Sequence, residues 1–218
     1  MDDLSRRYGR DRVFNDFLTM AICALSMQQQ EELYFKTIKP YRKEELNIFS
    51  EAFAALVIEM DNKKGFKDVL GDYFEEYFYN EKLGQFFTPF CLCQLMAELV
   101  PPTGPNMYDP CCGSGRIFLA VGEKNRDLIF YGGDISETCC KMTLINMCLN
   151  NLQCRIAWMN SLSMEIYKEW AVVRQKYTNL PFIIEINEKS EIKEITEIED
   201  ITTKEVQPLK FKRFSKIA

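Results

Sequence analysis

The chain has 218 residues, 47% of them hydrophobic and 27% charged, with a formal net charge of −5 and no histidine. That length and apolar content are enough for one substantial core and exclude a disordered chain. The acidic balance argues against a broad basic face that grips nucleic acid, and the missing histidine excludes Ser-His-Asp and Cys-His nucleophiles.

The first hundred residues read as helical. Apolar positions recur at three- and four-residue spacing in FNDFLTMAICALSM, residues 14–27, and in LNIFSEAFAALVIEM, residues 46–60. Pro40 and the DNKKG stretch at 61–65 punctuate them. Two more helices are expected, over FKDVLGDYFEEYFYN at 66–80 and over CLCQLMAELV at 91–100, the latter stopped by Pro101-Pro102. The stripe Tyr73, Phe74, Tyr77, Phe78 is expected to pack in the core rather than to stack on bases. No apolar run reaches the roughly 18 to 20 residues of a membrane span. The acidic start MDDLSRRYGR lacks a charged-then-apolar signal segment, so the expected location is the cytoplasm.

From residue 106 the rhythm changes. Strands are expected at NMYD (106–109), LIFYGGDI (128–135) and CRIAWMN (154–160). They alternate with helices at GRIFLAVGEK (115–124), ETCCKMTLINMCLNN (137–151) and SMEIYKEWAVVRQKY (163–177). Such alternation implies an α/β fold with parallel pairing and right-handed crossovers. Residues 185–205 then carry eight acidic and three basic side chains, and 206–218 carry four basic ones and no acidic one. This tail reads as solvated charge. The expected organisation is an N-terminal helical region over 1–100, an α/β domain over 101–186 and a charged tail over 187–218.

Nine cysteines would suggest disulfides in a small secreted protein, but the number is odd and most sit inside apolar patterns. Reduced, packed thiols are the expectation. Cys91 and Cys93 form only a C-x-C and no C-x-x-C occurs, which leaves a structural zinc site without support.

The stretch YDPCCGSGRIFLA, residues 108–120, places Asp-Pro, two small cysteines and two glycines between a strand and a helix. Glycine there lets backbone approach a ligand closely. A phosphate-cradling loop needs Gly-Lys-Ser/Thr, whereas Gly115 is followed by Arg116 and Ile117. A dinucleotide fingerprint needs a third small residue, and Phe118 stands in its place. The remaining candidate is an S-adenosylmethionine (SAM) site, which needs no phosphate cradle but does need an acid at the end of the next strand for the ribose hydroxyls. Asp134 in YGGDIS lies 19 residues beyond Gly115 at that place. The competing reading makes Asp134 a cap for the helix opening at Ser136 or Glu137.

Three segments carry a resemblance: DVLGDYFEEYFYNEKLGQFFTP (68–89), DPCCGSGRIFLA (109–120) and GGDISETCCKMTLINMCLNN (132–151). In this order they resemble the SAM-binding half of adenine-specific DNA methyltransferases, particularly the modification (M) subunits of type I restriction-modification systems. The resemblance covers roughly residues 65–165. It implies a Rossmann-like SAM-dependent methyltransferase fold preceded by the helical segment, with a sheet that the short chain leaves incomplete. It also implies that Gln85, Phe86, Phe87, Thr88 and Pro89 lie along the methionine end of SAM and that Asp109 faces its amino group. Cys111, Cys112, Gly113, Ser114 and Gly115 would form the turn, and Asp134, with Ile135 after it, would hold the ribose. Asn160 and Ser161 stand where the family has Asp-Ser/Thr-Leu near the adenine ring; the amide can still accept and donate there.

Methylating the exocyclic amine of adenine needs a flipped base, stacked on an aromatic ring and hydrogen-bonded so that its nitrogen faces the methyl group. The family does this with Asn/Asp-Pro-Pro-Tyr/Phe, and this sequence has no such tetrapeptide. The nearest string is NLPF, which offers Asn179, Pro181 and Phe182 as a degenerate catalytic motif and puts Leu180 where proline would fix φ. No region resembles a target-recognition domain. The implied activity is therefore adenine-specific DNA methyl transfer within an assembly, DNA being reached through a separate specificity subunit. Two alternatives remain: a SAM-binding regulatory protein that lost the chemistry, and a nucleotide-dependent oxidoreductase, for which Phe118 is the misfit.

Overall fold

In a computed structural model that describes residues 2–61, 65–78 and 86–186, six helices precede the first strand. They are α1 (Asp2–Tyr8), α2 (Arg10–Leu25), α3 (Glu31–Ile38), α4 (Lys43–Glu59), α5 (Val69–Phe78) and α6 (Phe90–Leu99). The periodic stretches from Phe14 and Leu46 fall in α2 and α4; α1 and the short α3 have too few turns to show a period. Phe14 of α2 packs on the rings of Tyr73, Phe74 and Phe78 of α5, so those three members of the aromatic stripe serve packing. Tyr77 sits at the stripe's edge, against Tyr73 and beneath the Arg10 guanidinium.

The second half contains β1 (Asn106–Asp109), α7 (Arg116–Lys124), β2 (Ile129–Asp134), α8 (Glu137–Leu149) and β3 (Gln153–Asn160). The strands pair in parallel, β1 with β2 and β2 with β3. The helices between them supply the long crossover that parallel pairing requires. The chain is α/β as the sequence implied, with its first three strands forming one half of a doubly wound sheet.

The expected helix at 163–177 is not formed. Residues Glu165–Arg174 make β4, antiparallel to β3, and Pro181–Glu185 make β5, antiparallel to β4. Among the described residues the sheet order is β1-β2-β3-β4-β5, with the four-residue β1 at an edge. The spacing of Ile166, Trp170 and Val173 imitates a helical face, but the segment is dense in aromatic and β-branched residues and finds the open edge of β3. Trp170 and Val172 then bury on one sheet face and Ala171 on the other.

Helix α8 has apolar or small residues on every side, and Cys139, Cys140, Met142, Leu144, Ile145, Met147 and Cys148 are all buried. It lies against β2 and β3 on one side and against α2 on the other, which is why a helix with no polar face stays in register. Through it the N-terminal helices and the sheet form one compact unit over Met1–Glu185. The nine cysteines are free thiols, seven of them buried, with Cys91 and Cys111 exposed. The tail at 187–218 lies outside the described residues. Among the described residues no helix is long and apolar enough to cross a membrane.

Candidate cofactor site

Parallel strands deliver the ends of β1 and β2 to the same edge of the sheet, so Asp109 and Asp134 finish at neighbouring register positions opposite Gly132 and Trp158. The loop Pro110–Gly115 must turn from β1 into α7 within six residues. Gly113 (φ 56°) and Gly115 (φ 86°) both adopt the left-handed region, and Gly115 is the residue that opens α7. A methyl group on Gly113 would stand 3.1 Å from the Phe87 ring, and one on Gly115 would stand 3.0 Å from Cγ2 of Thr143. Both positions therefore need glycine for conformation and for space.

Asp134 ties the loop to β2. Its Oδ2 accepts from the Gly113 N–H at 2.9 Å and its Oδ1 from the Ser136 N–H at 2.8 Å. Burial raises its pKa above the ordinary aspartate range, against the lowering by those two N–H donors. The residue that caps α8 is Ser136, whose Oγ accepts from the Cys139 N–H. The competing reading of Asp134 as helix cap therefore assigns to it what Ser136 does. A carboxylate has about four acceptor positions, so these bonds leave Asp134 with acceptor capacity.

Beside the loop lies a cleft of about 130 Å³, lined among others by Phe86, Phe87, Thr88, Asp109 and Cys111–Ser114. Eight of the fifteen expected cofactor residues line this cleft; Gly115, Asp134, Ile135, Asn160 and Ser161 lie outside its lining. Pro89 opens α6 at the same place. Ile135 is exposed next to Asp134, and its carbonyl accepts from Trp158 Nε1 at 3.0 Å. Ser161 also reaches the edge, its Oγ donating to the Pro110 carbonyl. Asn160 ends β3 there, but its Oδ1 accepts from the Leu162 and Ser163 N–H groups and so shapes the β3–β4 turn. Gln85 lies outside the described residues.

Under the loop is a buried network that the sequence reading missed. Asp68 precedes α5 and caps it, its Oδ1 accepting from the Gly71 N–H at 2.9 Å. The same carboxylate accepts from Arg116 Nε at 2.7 Å, Asn146 Nδ2 at 2.7 Å and Ser114 Oγ. Arg116 is 6% exposed in its side chain and Asp68 1%. Arg116 also meets Asp72 and Glu75, each at 2.7 Å. Burial works against the guanidinium's charge, and Asp68 and Glu75 together outweigh it, so the Arg116 pKa is raised. Asn146 further donates to the Ser114 carbonyl and Thr143 to the Gly113 carbonyl. These contacts hold the loop's backbone from below. The available signal was Asp68 at the head of VLGDYFEEYF, a capping residue before an apolar helical pattern.

Asn179, Pro181 and Phe182 are not at this site. Asn179 (φ 56°) and Leu180 lie in the β4–β5 turn, where Gln175 and Leu180 are hydrogen-bonded. Pro181 and Phe182 begin β5 opposite Arg174 and Val173. Arg174 donates to Asn151 and to the Arg126 carbonyl, which belong to the connections entering β3 and β2. The turn therefore sits at the N-terminal edge of the parallel strands, about 15–20 Å of strand away from the loop at 3.3 Å per residue. Because β4 runs antiparallel to β3, it carries the motif to the edge opposite the loop.

A Rossmann-like half-sheet with a glycine turn at one strand end and a carboxylate at the next is the arrangement in which open α/β sheets place a ligand crevice. The model of the N-6 DNA methylase family matches residues 65–212, and the chain belongs to that family. It is 30% identical over 103 residues to the methylase subunit of the type I restriction enzyme HindI of Haemophilus influenzae, covering 40% of this chain and 23% of that protein. It is 30% identical over 122 residues to the methylase subunit of the type I restriction enzyme MjaIX of Methanocaldococcus jannaschii, covering 50% and 21%. The crystal structure of a protein described as the modification subunit of a type I restriction enzyme from Vibrio vulnificus overlays with a TM-score of 0.33 at 20% identity, covering 60% of this chain and 28% of that one. The chain thus spans about a fifth of the length of these two curated relatives.

Proposed function

We propose that this protein binds SAM at the C-terminal edge of β1–β3 and serves as the cofactor-binding part of an adenine-specific DNA methyltransferase that acts within a multi-subunit assembly. The observation that carries this reading is the convergence of the 111–115 turn and the Asp134 carboxylate, with Phe86, Phe87 and Thr88 on the adjoining wall. A side chain at Gly113 would press on Phe87 in the cleft wall, so the backbone is left bare there. The chemistry of the donor set fits the cofactor: Asp134 keeps acceptor capacity for ribose hydroxyls, and Asp109 lies beside the cleft, where a carboxylate suits an ammonium group. When bound, SAM supplies an electrophilic methyl group; the residues of this chain orient it.

The placement of Asn179–Phe182 supports a requirement for another polypeptide. With that turn at the far edge, this chain presents no amide-proline-aromatic group beside the loop among its described residues. Among the described residues no strand pairs with the outer edge of β1, which is where a doubly wound sheet continues with its second half, so completion of the base-binding wall would come from there. DNA would be reached through a specificity subunit, as suits a chain whose net charge is −5.

Titration of SAM into wild-type protein and Asp134→Ala tests the cofactor reading. Loss of charge-assisted hydrogen bonds should weaken binding by about 1.5–3 kcal/mol, tenfold or more. Absence of SAM binding by the wild type sinks the proposal. Methyl transfer to duplex DNA by this chain alone would refute the requirement for a partner. The second reading, a SAM-binding regulatory protein without chemistry, is favoured by the same hairpin placement. It predicts SAM binding with no transfer even when a specificity subunit is supplied.

A further inference from the structure

A second cleft, of about 300 Å³, opens between α2, α3, the start of α8 and β4, and it shares no lining residue with the cofactor cleft. Its apolar floor is Ile22, Leu33 and Trp170, and its walls bring in four cations: Arg12, Lys36, Lys141 and Lys168. Three of them have a carboxylate partner each: Arg12 with Asp16 at 3.6 Å, Lys141 with Glu137 at 3.1 Å and Lys168 with Glu185 at 2.8 Å. Lys36 has no ion pair among the described residues, so one positive charge is left uncompensated even when Glu185 is counted.

Gln30 adds an independent observation. Its side chain lines the same cleft, its Oε1 accepts from the Cys23 thiol, and its Nε2 is buried without any acceptor. A buried donor with no partner is uncommon and asks for an oxygen from outside the chain. Asp16 cannot answer, being engaged by the Tyr41 hydroxyl at 2.6 Å as well as by Arg12.

We propose that this cleft binds an organic phosphate monoester, whose phosphoryl oxygens meet Lys36, Lys141 and the Gln30 amide while its apolar body rests against Leu33 and Trp170. A phosphoryl group offers three acceptor oxygens and close to two negative charges, which suits several donors arriving from separate elements better than a carboxylate does. The volume is at the lower end of small-ligand pockets, which suits one compact phosphorylated molecule or one terminal nucleotide. Because the cleft joins α2 and α3 to α8 and β4, an occupant would fasten the helical segment to the sheet.

Calorimetric titration of the full chain with phenyl phosphate in 150 mM salt tests the proposal, with inorganic phosphate, phenylacetate and a 5′-phosphorylated trinucleotide as companion probes. Saturable one-to-one binding of phenyl phosphate or of the trinucleotide is expected, at least tenfold tighter than phenylacetate. Lys36→Met, at an exposed residue whose loss leaves folding intact, should weaken it about fivefold, and Gln30→Leu or Lys141→Met about tenfold. Preference for phenyl phosphate would assign a small metabolite, and preference for the trinucleotide over its unphosphorylated form would assign a nucleic-acid end; both support the site. No saturable binding of either phosphate monoester, or binding that Lys36→Met and Gln30→Leu leave unchanged, overturns it.

Discussion

Strands β1–β3 and the pair β4–β5 share one sheet yet send their connections to opposite edges. β1 and β2 are each followed by a helix that returns the chain to the starting edge, so Asp109, Asp134 and Asn160 accumulate at a single place. The antiparallel pair reverses direction without a helix, and its turn joins the N-terminal edge next to Asn151 and Arg126. A motif's worth depends on the edge to which its strand runs. The glycine turn keeps its expected neighbours because β1 and β2 are parallel, and NLPF loses them because β4 is not.

The largest effect that sharpens this contrast lies under the parallel half. Asp68→Ala would strand the buried Arg116 and free Ser114 and Asn146, so chemical denaturation should show a loss of about 3 kcal/mol or more. A loss below about 1 kcal/mol, the worth of one ordinary hydrogen bond, would mean that Asp72 and Glu75 suffice to hold the guanidinium.

Next is the pH response of SAM affinity. The carboxylate form of Asp134 accepts the hydrogen bonds, so affinity should fall as pH drops through its raised pKa, by up to about 1.4 kcal/mol per pH unit. Asp134→Asn should flatten that profile. A wild-type profile that stays flat until ordinary aspartates titrate would contradict the role given to burial.

Gly115→Ala puts a methyl group at a left-handed residue facing Thr143, at a cost of about 1–2 kcal/mol to stability. The same substitution at Thr143, shortening it to Ala, should recover the part due to crowding. The smallest effect belongs to the hairpin. Asn179→Ala should leave SAM affinity within about 0.3–0.5 kcal/mol of wild type, since well-separated sites act independently. A tenfold loss there would break the comparison outright.

Much of the parallel half was legible from local pattern. NMYD is β1 to the residue, and the strands from Leu128 and Cys154 and the helices from Gly115 and Glu137 differ from the expectation by only one or two residues at their ends. Of the candidate site, the local geometry was legible, in the left-handed glycines at 113 and 115 and the acid that ends β2. The site was not legible where support is distant in sequence: Asp68 meets Ser114, Arg116 and Asn146 across 46 to 78 residues. No spacing rule reaches that far.

The sequence by itself determined the α/β character, the glycine turn, the acidic strand end and the order of motifs, because each depends on residues within one or two turns of chain. Only the tertiary structure decided that 165–174 is a strand, which way it runs and where its turn lands. A segment that fits a helix and a strand about equally well takes the state in which Trp170 and Val172 can be buried. The open edge of β3 offered that burial together with backbone hydrogen bonds, and no local pattern records the presence of an edge.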